Sequence, residues 1–291
     1  MHSTRKLRFV AVMVGGVLAC APLGVAASAA ATPPNYVALG DSYTSAPNDG
    51  ALAPGAPLLC LQSTANYPHI VSASLGASLT DVSCAGATVQ NMTTSQYADQ
   101  PPQFNALTSS TQVVTLGIGG NDNNTFVDAI VDCFATDALD FFNIGAPCKA
   151  VFGSTFVDNV SSDAPNIASA LNGIHQRSPG AKVFVVGYPD ILPQSGNCFT
   201  SIPVTSGDVS YLNNLELTLN GMLRTEAAAN GATYVDTFTP SIGHDACKSS
   251  KVRYVEPVIS GSSGIILHPN VAGESADSAE VLAAMKAAGI S

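Results

Sequence analysis

The sequence is poor in basic residues, and this scarcity excludes two classes of partner. Its 291 residues contain 11 Lys and Arg against 21 Asp and Glu, a formal net charge of −10 at pH 7. So acidic a surface repels the phosphates of nucleic acids and the anionic headgroups of membranes. The sequence therefore argues against a nucleic-acid partner and against docking on a membrane by charge.

Several other patterns are missing. Beyond residue 26 no apolar run reaches the length of a membrane span. No CxxC pair and no cluster of Cys and His occurs at metal-ligand spacing, which gives a metal site little support. Neither an internal repeat nor a long linker divides the chain, so its length favours one sizeable domain.

The N-terminus has the organisation of a secretory signal peptide. Met1–Arg8 carries three basic residues and no acid, Phe9–Ala26 is apolar, and small residues at 27–31 offer cleavage sites. Removing residues 1–31 leaves 260 residues with 8 basic and 21 acidic side chains, a net charge of −13. We therefore expect a secreted protein whose domain covers residues 32–291.

Two alternatives to full secretion exist. The apolar stretch is long enough to stay as an N-terminal membrane anchor, and Cys20 follows a small residue, as the lipidated cysteine of a lipoprotein does. The Pro and Gly content and the Ala-rich end of the segment favour cleavage. We expect no stable membrane anchor after it.

Six cysteines remain in the mature chain, and an even count in an exported protein indicates disulfides. They are Cys60, Cys84, Cys133, Cys148, Cys198 and Cys247. Six cysteines allow fifteen pairings. Sequential pairing closes the shortest loops, but the residues alone do not select it.

Apolar runs that end at turn residues predict buried strands. They lie at Tyr36–Leu39, Val113–Ile118, Lys182–Gly187 and Thr233–Asp236. Helical periodicity covers Asn159–Gln176, Val209–Ala229 and Ser275–Ala288, whereas 120–155 and 188–208 show little periodicity and are predicted to be loops. Continuous apolar strands that alternate with helices indicate an α/β fold, a parallel sheet covered on both faces.

Polar residues follow the first two of these strands. Gly40-Asp41-Ser42 ends the first, where Ser42 is a candidate nucleophile, although Asp-Ser after a strand is also a common helix N-cap. Gly117–Asp122 ends the second, and the Asn121 amide can donate a hydrogen bond there, although Gly-Gly-Asn-Asp also forms ordinary turns. In a parallel sheet, ligands bind at these carboxyl ends.

Four histidines of the mature chain could serve as a base: His69, His175, His244 and His268. His175 falls within a helical pattern, His69 has no neighbouring chemistry, and His244 lies near a cysteine. His268 precedes Pro269-Asn270 and the last helix. A lone histidine is more often structural than catalytic, so the choice of a candidate base depends on the motifs that accompany each histidine.

The pattern is an ordered series of four blocks. It runs from Gly-Asp-Ser at 40–42 through Gly86, in Ser83–Thr88, and Gly-Gly-Asn-Asp at 119–122 to His268. This order resembles the SGNH hydrolases, also called GDSL lipases/esterases. The segments 100–104, 243–247 and 253–257 resemble the secreted actinobacterial esterase/lipase branch of that family.

The resemblance implies a three-layer α/β/α sandwich with a central parallel sheet, flavodoxin-like in type, and a carboxylic ester hydrolase. Ser42 would attack the ester and His268 would act as general base. The oxyanion would be held by the N–H groups of Ser42 and Gly86 and by the Asn121 amide. Asp41 would shape the turn.

The resemblance also bears on pairing, cofactors and partners. It implies three sequential disulfides: Cys60–Cys84, Cys133–Cys148 and Cys198–Cys247. It implies no metal or organic cofactor, because every reacting group belongs to the protein. We expect a monomer that acts on a small-molecule or lipid ester.

The sequence departs from the family three residues before the histidine, where an Asp commonly orients the imidazole. Ile265 occupies that position. We predict that the Ile265 main-chain carbonyl accepts the His268 Nδ1–H bond, which gives a Ser–His pair without a carboxylate. The competing idea is that a distant acid, Asp245 or Glu256, completes a triad.

Two other functions remain open. A carbohydrate esterase that deacetylates a polysaccharide would keep the chemistry and change the substrate, although no appended carbohydrate-binding segment is visible. A non-catalytic exported binding module would keep only the fold, and such a role does not require all four blocks to be intact.

Overall fold

The structure, a computed structural model, describes residues 1–2, 4, 6–11, 32–138, 140, 143, 145–259, 261 and 264–291. The chain divides into two units, Met1–Thr32 and Pro33–Ser291. Most of the predicted signal peptide, with Cys20 and the cleavage sites, lies outside the described residues. Within the described part of the chain, no helix is long and apolar enough to cross a membrane.

The second unit is built on a five-stranded parallel sheet. Its strands are β1 (Asn35–Gly40), β2 (Ser78–Asp81), β3 (Val113–Gly117), β4 (Lys182–Val186) and β5 (Thr233–Val235), in the spatial order β2-β1-β3-β4-β5. Gly40 pairs with Gly117, so β1 and β3 end side by side. The strand order reverses between these two strands, and in open parallel sheets ligands bind at that point.

Nine α-helices are described along the same unit. They are α1 (Ser42–Ser45), α2 (Tyr67–Leu75), α3 (Thr125–Asp137), α4 (Pro147–Phe152), α5 (Thr155–Ser162), α6 (Ala164–Arg177), α7 (Ser206–Ala229), α8 (Phe238–Ser241) and α9 (Val271–Ala287). Four are capped by a side chain that accepts hydrogen bonds from the first turn. These caps are Asp41, Asn66, Thr205 and Asn270.

Helices cover both faces of the sheet, because alternate strand residues point to opposite sides. Val37 and Leu39 of β1 belong to a buried cluster with side chains of α6 and α7. Tyr36 and Ala38, one residue out of phase, belong to a second cluster with side chains of α2 and α9. The predicted three-layer α/β/α sandwich is confirmed.

Three sequence predictions need correction. The strand β2 was missed because it is a short edge strand whose residues, Ser-Leu-Thr-Asp, are exposed or half-buried. The segment 120–155, predicted to be a loop, contains α3 and α4. The single helix predicted over Asn159–Gln176 is two helices, α5 and α6, because the chain turns at Asp163 and Pro165 begins the second.

Three disulfides join Cys60 to Cys84, Cys133 to Cys148 and Cys198 to Cys247. These are the pairs that the family resemblance implies. Beside the first disulfide, the Cys84 N–H donates to the Gly40 carbonyl at 3.0 Å, and the Ala85 N–H donates to the Cys60 carbonyl at 3.1 Å. The chain that leads to Gly86 is thereby fastened to the end of β1.

Candidate active site

The segment Gly40–Ala46, called here the nucleophile segment, turns from β1 directly into α1. Asp41 caps the helix by accepting the Tyr43 N–H at 2.9 Å, which makes Ser42 the first helical residue. The turn requires glycine at position 40, since a Cβ there would lie 2.7 Å from the Gly117 carbonyl oxygen. Ser42 therefore stands at the carboxyl edge of the sheet, as the sequence predicts.

The buried side chain of Gln103 supports this turn through two hydrogen bonds to Gly40. The Gln103 Oε1 accepts the Gly40 N–H at 2.8 Å, and its Nε2 donates to the Gly40 carbonyl at 2.9 Å. The amide thus binds Gly40 just beyond the last register pair of β1 and β2, Ala38 with Asp81, where the Gly40 carbonyl also accepts the Cys84 N–H. Sequence reasoning used Gln103 only as part of the resemblance and missed this contact.

Ser42 and His268 meet although 226 residues separate them. The Ser42 Oγ lies 2.7 Å from the His268 Nε2, a hydrogen-bond distance. The Ser42 side chain lies at the wall of a cavity, and only 8% of the residue is exposed. This contact is the geometry that a histidine needs to withdraw a hydroxyl proton.

The predicted acceptor for the other imidazole nitrogen was wrong by one residue. The His268 Nδ1 lies 2.8 Å from the carbonyl oxygen of Ile266, not of Ile265. The Ile265 carbonyl is used by a tight turn, in which it accepts the His268 main-chain N–H at 3.1 Å. Leu267 closes that turn in a left-handed conformation, φ 58°, and this leaves the Ile266 carbonyl to face the ring.

The segment Gly264–Asn270, called here the histidine segment, is held mainly by main-chain bonds. Leu267 N–H donates to the Glu256 carbonyl at 2.8 Å, and Glu256 N–H donates to the His268 carbonyl at 2.9 Å. Tyr43 links the two segments, because its hydroxyl donates to the Leu267 carbonyl at 2.6 Å and its ring centroid lies 4.7 Å from that of His268.

The two acids considered for a triad have other partners. Asp245 forms an ion pair with Lys248 at 3.4 Å. Glu256 forms a buried ion pair with Arg253 at 2.6 Å and accepts a hydrogen bond from Asn270. Among the described residues, no carboxylate oxygen lies within hydrogen-bond distance of His268.

Burial sets the protonation state of the base. It lowers the pKa of His268 below its ordinary value, against the smaller opposing effect of the Ile266 carbonyl. A lowered pKa keeps the imidazole neutral at neutral pH. The Nε2 lone pair is therefore available to the Ser42 hydroxyl.

The three predicted oxyanion donors line the same cavity, of about 220 Å³, as Ser42 and His268. Gly86 adopts a positive φ of 77°, which glycine tolerates best. The Asn121 Nδ2 donates one hydrogen to the Ala87 carbonyl at 3.0 Å and keeps a second. Within the described residues, the main-chain N–H groups of Ser42 and Gly86 donate to no protein group.

Tyr188 connects the donors to the nucleophile segment, and sequence reasoning missed it. Its hydroxyl donates to the Asp41 Oδ2 at 2.5 Å and accepts the Gly120 N–H at 2.9 Å. Burial raises the pKa of Asp41 to about 7, and the Tyr188 bond opposes that rise. Tyr188 lies two residues after the end of β4, so its place at the carboxyl edge of the sheet was a signal available in the sequence.

The other three histidines lie away from this cavity. His69 contacts the Asn66 side chain at 2.7 Å, His175 contacts a carbonyl at 3.0 Å, and His244 stacks on Tyr254. In the portion of the chain that the structure describes, no group of three or more His, Cys, Asp or Glu side chains is arranged to hold a metal ion.

Comparisons of sequence give one family. The model of the GDSL-like Lipase/Acylhydrolase family matches residues 38–276, which is most of this chain. Lipase 2 of Streptomyces coelicolor is 44% identical over 253 residues, which cover 86% of this chain and 85% of that protein. The family match spans Ser42, Gly86, Asn121 and His268.

Solved structures share the fold. The crystal structure of phospholipase A1 from Streptomyces albidoflavus NA297 matches with a TM-score of 0.69 and 27% identity, over 88% of this chain and 99% of that one. An extracellular lipase from Streptomyces rimosus matches with the same TM-score and coverage at 24% identity. The parallel sheet and its layers are therefore common to these proteins.

Proposed function

The chain belongs to the GDSL-like lipase/acylhydrolase family and is a carboxylic ester hydrolase, and from this premise we propose that it acts through an acyl-enzyme on Ser42. The observation that carries the proposal is the 2.7 Å contact between the Ser42 Oγ and the His268 Nε2, beside three hydrogen-bond donors. A binding module has no need of this arrangement.

In the first half of the reaction, the neutral His268 accepts the Ser42 hydroxyl proton as the Oγ attacks the ester carbonyl carbon. The carbonyl oxygen becomes an oxyanion in a tetrahedral intermediate. The imidazolium then donates its proton to the leaving alcohol oxygen as the carbon–oxygen bond breaks. The acyl group is left on Ser42.

In the second half, water takes the place of the alcohol. His268 withdraws a proton from the water as its oxygen attacks the acyl carbon, and it returns a proton to the Ser42 Oγ as the acid leaves. Both tetrahedral oxyanions are held by Ser42 N–H, Gly86 N–H and the second Asn121 amide hydrogen. Donors fixed before the reaction stabilise such an oxyanion more than water does.

The imidazolium is oriented by a neutral group. The Ile266 carbonyl accepts the Nδ1–H bond and fixes the tautomer in which Nε2 is the acceptor. A carbonyl stabilises the positive ring less than a carboxylate does, since the carbonyl carries no net negative charge to attract it. We therefore propose a catalytic pair rather than a triad.

Substitution of the two distant acids tests the pair. In Asp245→Asn and Glu256→Gln, kcat should stay within about threefold of the wild type, because neither side chain orients the imidazole. A loss in either variant that approaches the loss in His268→Ala would establish a triad instead.

The substrate class follows from the surroundings of Ser42. The side chains of Tyr43, Phe126, Val127 and Ile130 give the cavity a largely apolar wall, which suits an acyl chain better than a charged group. One structural relative is a phospholipase A1 and another an extracellular lipase. They support an ester with an apolar acyl part and an enzyme that acts outside the cell.

Ester hydrolysis by wild type and Ser42→Ala tests the proposed function. A panel of p-nitrophenyl esters from acetyl to palmitoyl should be cleaved by the wild type, and the Ser42→Ala variant should lose about 10⁴-fold or more in kcat. Ser45→Ala, in the same short helix, is the control for folding. Undiminished hydrolysis by Ser42→Ala would end the mechanism.

A further inference from the structure

A second, narrower cavity adjoins the active-site cavity. It holds about 50 Å³, and since a water molecule needs roughly 10–15 Å³ it offers only a few water-sized positions. Three residues line both cavities: Tyr43, Phe126 and Ile130. The rest of its wall is apolar, with Leu215 and Leu267 among the side chains, except for one acidic residue, Glu216.

Glu216 is incompletely hydrogen-bonded for so buried a group. Only 4% of the residue is exposed. Its Oε2 accepts a long hydrogen bond from the Ile191 N–H at 3.4 Å, and within the described residues its Oε1 has no partner. Burial, aided by the nearby Asp190 carboxyl, raises the pKa of Glu216 well above its usual range, which favours the neutral form of the carboxyl group.

A neutral carboxyl group in this position has one O–H donor and one carbonyl acceptor to offer. A buried polar group that lacks a partner destabilises the fold by roughly 1–3 kcal/mol. A leucine or methionine at position 216 would line the cavity without that cost. The chemistry of Glu216 is therefore unsuited to a plain hydrocarbon and suited to a chain that carries oxygen.

We propose that Glu216 hydrogen-bonds an oxygen atom on the substrate's acyl chain, so that this enzyme prefers esters of short oxygen-bearing acids, such as oxo acids, over plain fatty esters. The inference rests on the proposed function, in which the acyl group is attached to Ser42 and reaches past Tyr43. Apolar walls hold the methylene groups, and the carboxyl selects the position of the oxygen.

Matched substrates test the preference. The p-nitrophenyl ester of heptanoic acid is compared with the esters of 4-oxo-, 5-oxo- and 6-oxoheptanoic acid, which differ only in the place of one carbonyl. In the wild type, at least one oxo ester should exceed the plain ester in kcat/KM by about tenfold, the size expected of one well-placed hydrogen bond.

Two substitutions at the same position separate hydrogen bonding from shape. Glu216→Met fills a similar volume without a donor or acceptor and should abolish the preference, whereas Glu216→Gln keeps both and should retain most of it. The control is Glu226→Gln on the same helix, away from the cavity. Each result is a ratio within one enzyme preparation, so the folded fraction of a variant does not affect it.

Two outcomes would overturn the inference: a wild type that favours no oxo ester, or a Glu216→Met variant that keeps the wild-type ratio. Failure of the proposed function would look different. In that case the acetyl ester, which is too short to reach Glu216, would be hydrolysed equally by wild type and Ser42→Ala.

Discussion

The nucleophile segment and the histidine segment supply the two halves of one reaction but are held in different ways. Side chains add to the main-chain bonds that hold the first: Gln103 binds both main-chain groups of Gly40, and Asp41 binds the Tyr188 hydroxyl. The second is held mainly by main-chain bonds, down to the carbonyl that orients the catalytic ring. Side-chain supports leave a mark in the sequence, and main-chain supports do not.

The difference also concerns charge. The nucleophile segment contains a buried carboxyl group, Asp41, whereas the imidazole of the histidine segment is oriented by a neutral oxygen. Among the described residues, one hydrogen bond joins the two segments apart from the reacting pair, and it runs from the Tyr43 hydroxyl to the Leu267 carbonyl. Substitutions on either side should therefore have separable effects.

The largest effect should come from the histidine segment. His268→Ala removes the base, and kcat should fall by about 10⁴-fold or more. Because the two groups act as a unit, the double variant Ser42→Ala/His268→Ala should be no worse than either single variant. Additive losses would show that the two residues act independently.

The next effect concerns the oxyanion. Asn121→Ala removes a donor that belongs to neither segment, and kcat should fall by about 10²–10³-fold with little change in KM. The Asn121 amide also binds the Ala87 carbonyl, so thermal denaturation is measured alongside. A variant that loses stability but keeps kcat would limit Asn121 to a structural role.

A smaller effect should follow from loss of the support under the nucleophile. Gln103→Met leaves the Gly40 N–H and carbonyl without this partner, and we expect about tenfold lower kcat and about 2 kcal/mol lower free energy of unfolding. Gln100→Met is the matched control. Its buried amide binds Val82 instead, so it should lose stability without losing kcat to the same extent. Equal losses of kcat would contradict the positioning role.

The smallest effect is a shift in pH dependence. Protonation of His268 stops catalysis, and because burial lowers its pKa, the acidic limb of kcat/KM should have its midpoint below pH 6.5. Two carboxyl groups near the site can add a second inflection to the same curve. Burial raises the pKa values of Asp41 and Asp122 to about 7, so an inflection of kcat/KM near pH 7 should disappear in Asp41→Asn or Asp122→Asn. An acidic limb of kcat/KM whose midpoint stays above pH 6.5 in both variants would contradict a base that is neutral at neutral pH.

Much of the fold was predictable because it depends on patterns with a physical cause. Three of the four predicted strands, β1, β3 and β4, are largely buried apolar runs, and the polar residues that follow them lie at one edge of the sheet. The fourth, β5, is an edge strand that buries only Val235. The edge strand β2 was not predictable, since its half-exposed residues carry no such run. The helices α3 and α4 were hidden for a related reason, because parts of their surfaces are exposed and apolar, as at Val127, Val131 and Val151.

The candidate site also contains a part that could be predicted from the sequence and a part that could not. Ser42, Asn121 and His268 could be named as candidates from their side chains, Gly86 only from the family resemblance, and all four line one cavity. The orienting carbonyl could not, since every residue has one and the choice depends on a left-handed turn at Leu267, a residue that rarely adopts it. The predicted acceptor, the Ile265 carbonyl, is therefore one residue away from the observed acceptor, the Ile266 carbonyl.

The most direct test of the central claim, that Ser42 is the nucleophile activated by His268, is covalent labelling with a p-nitrophenyl alkylphosphonate followed by peptide mass mapping. We expect one phosphonyl adduct per chain, on Ser42, with none on the Ser42→Ala variant and much slower labelling of His268→Ala. An adduct that maps to another residue, or that persists in Ser42→Ala, would contradict it.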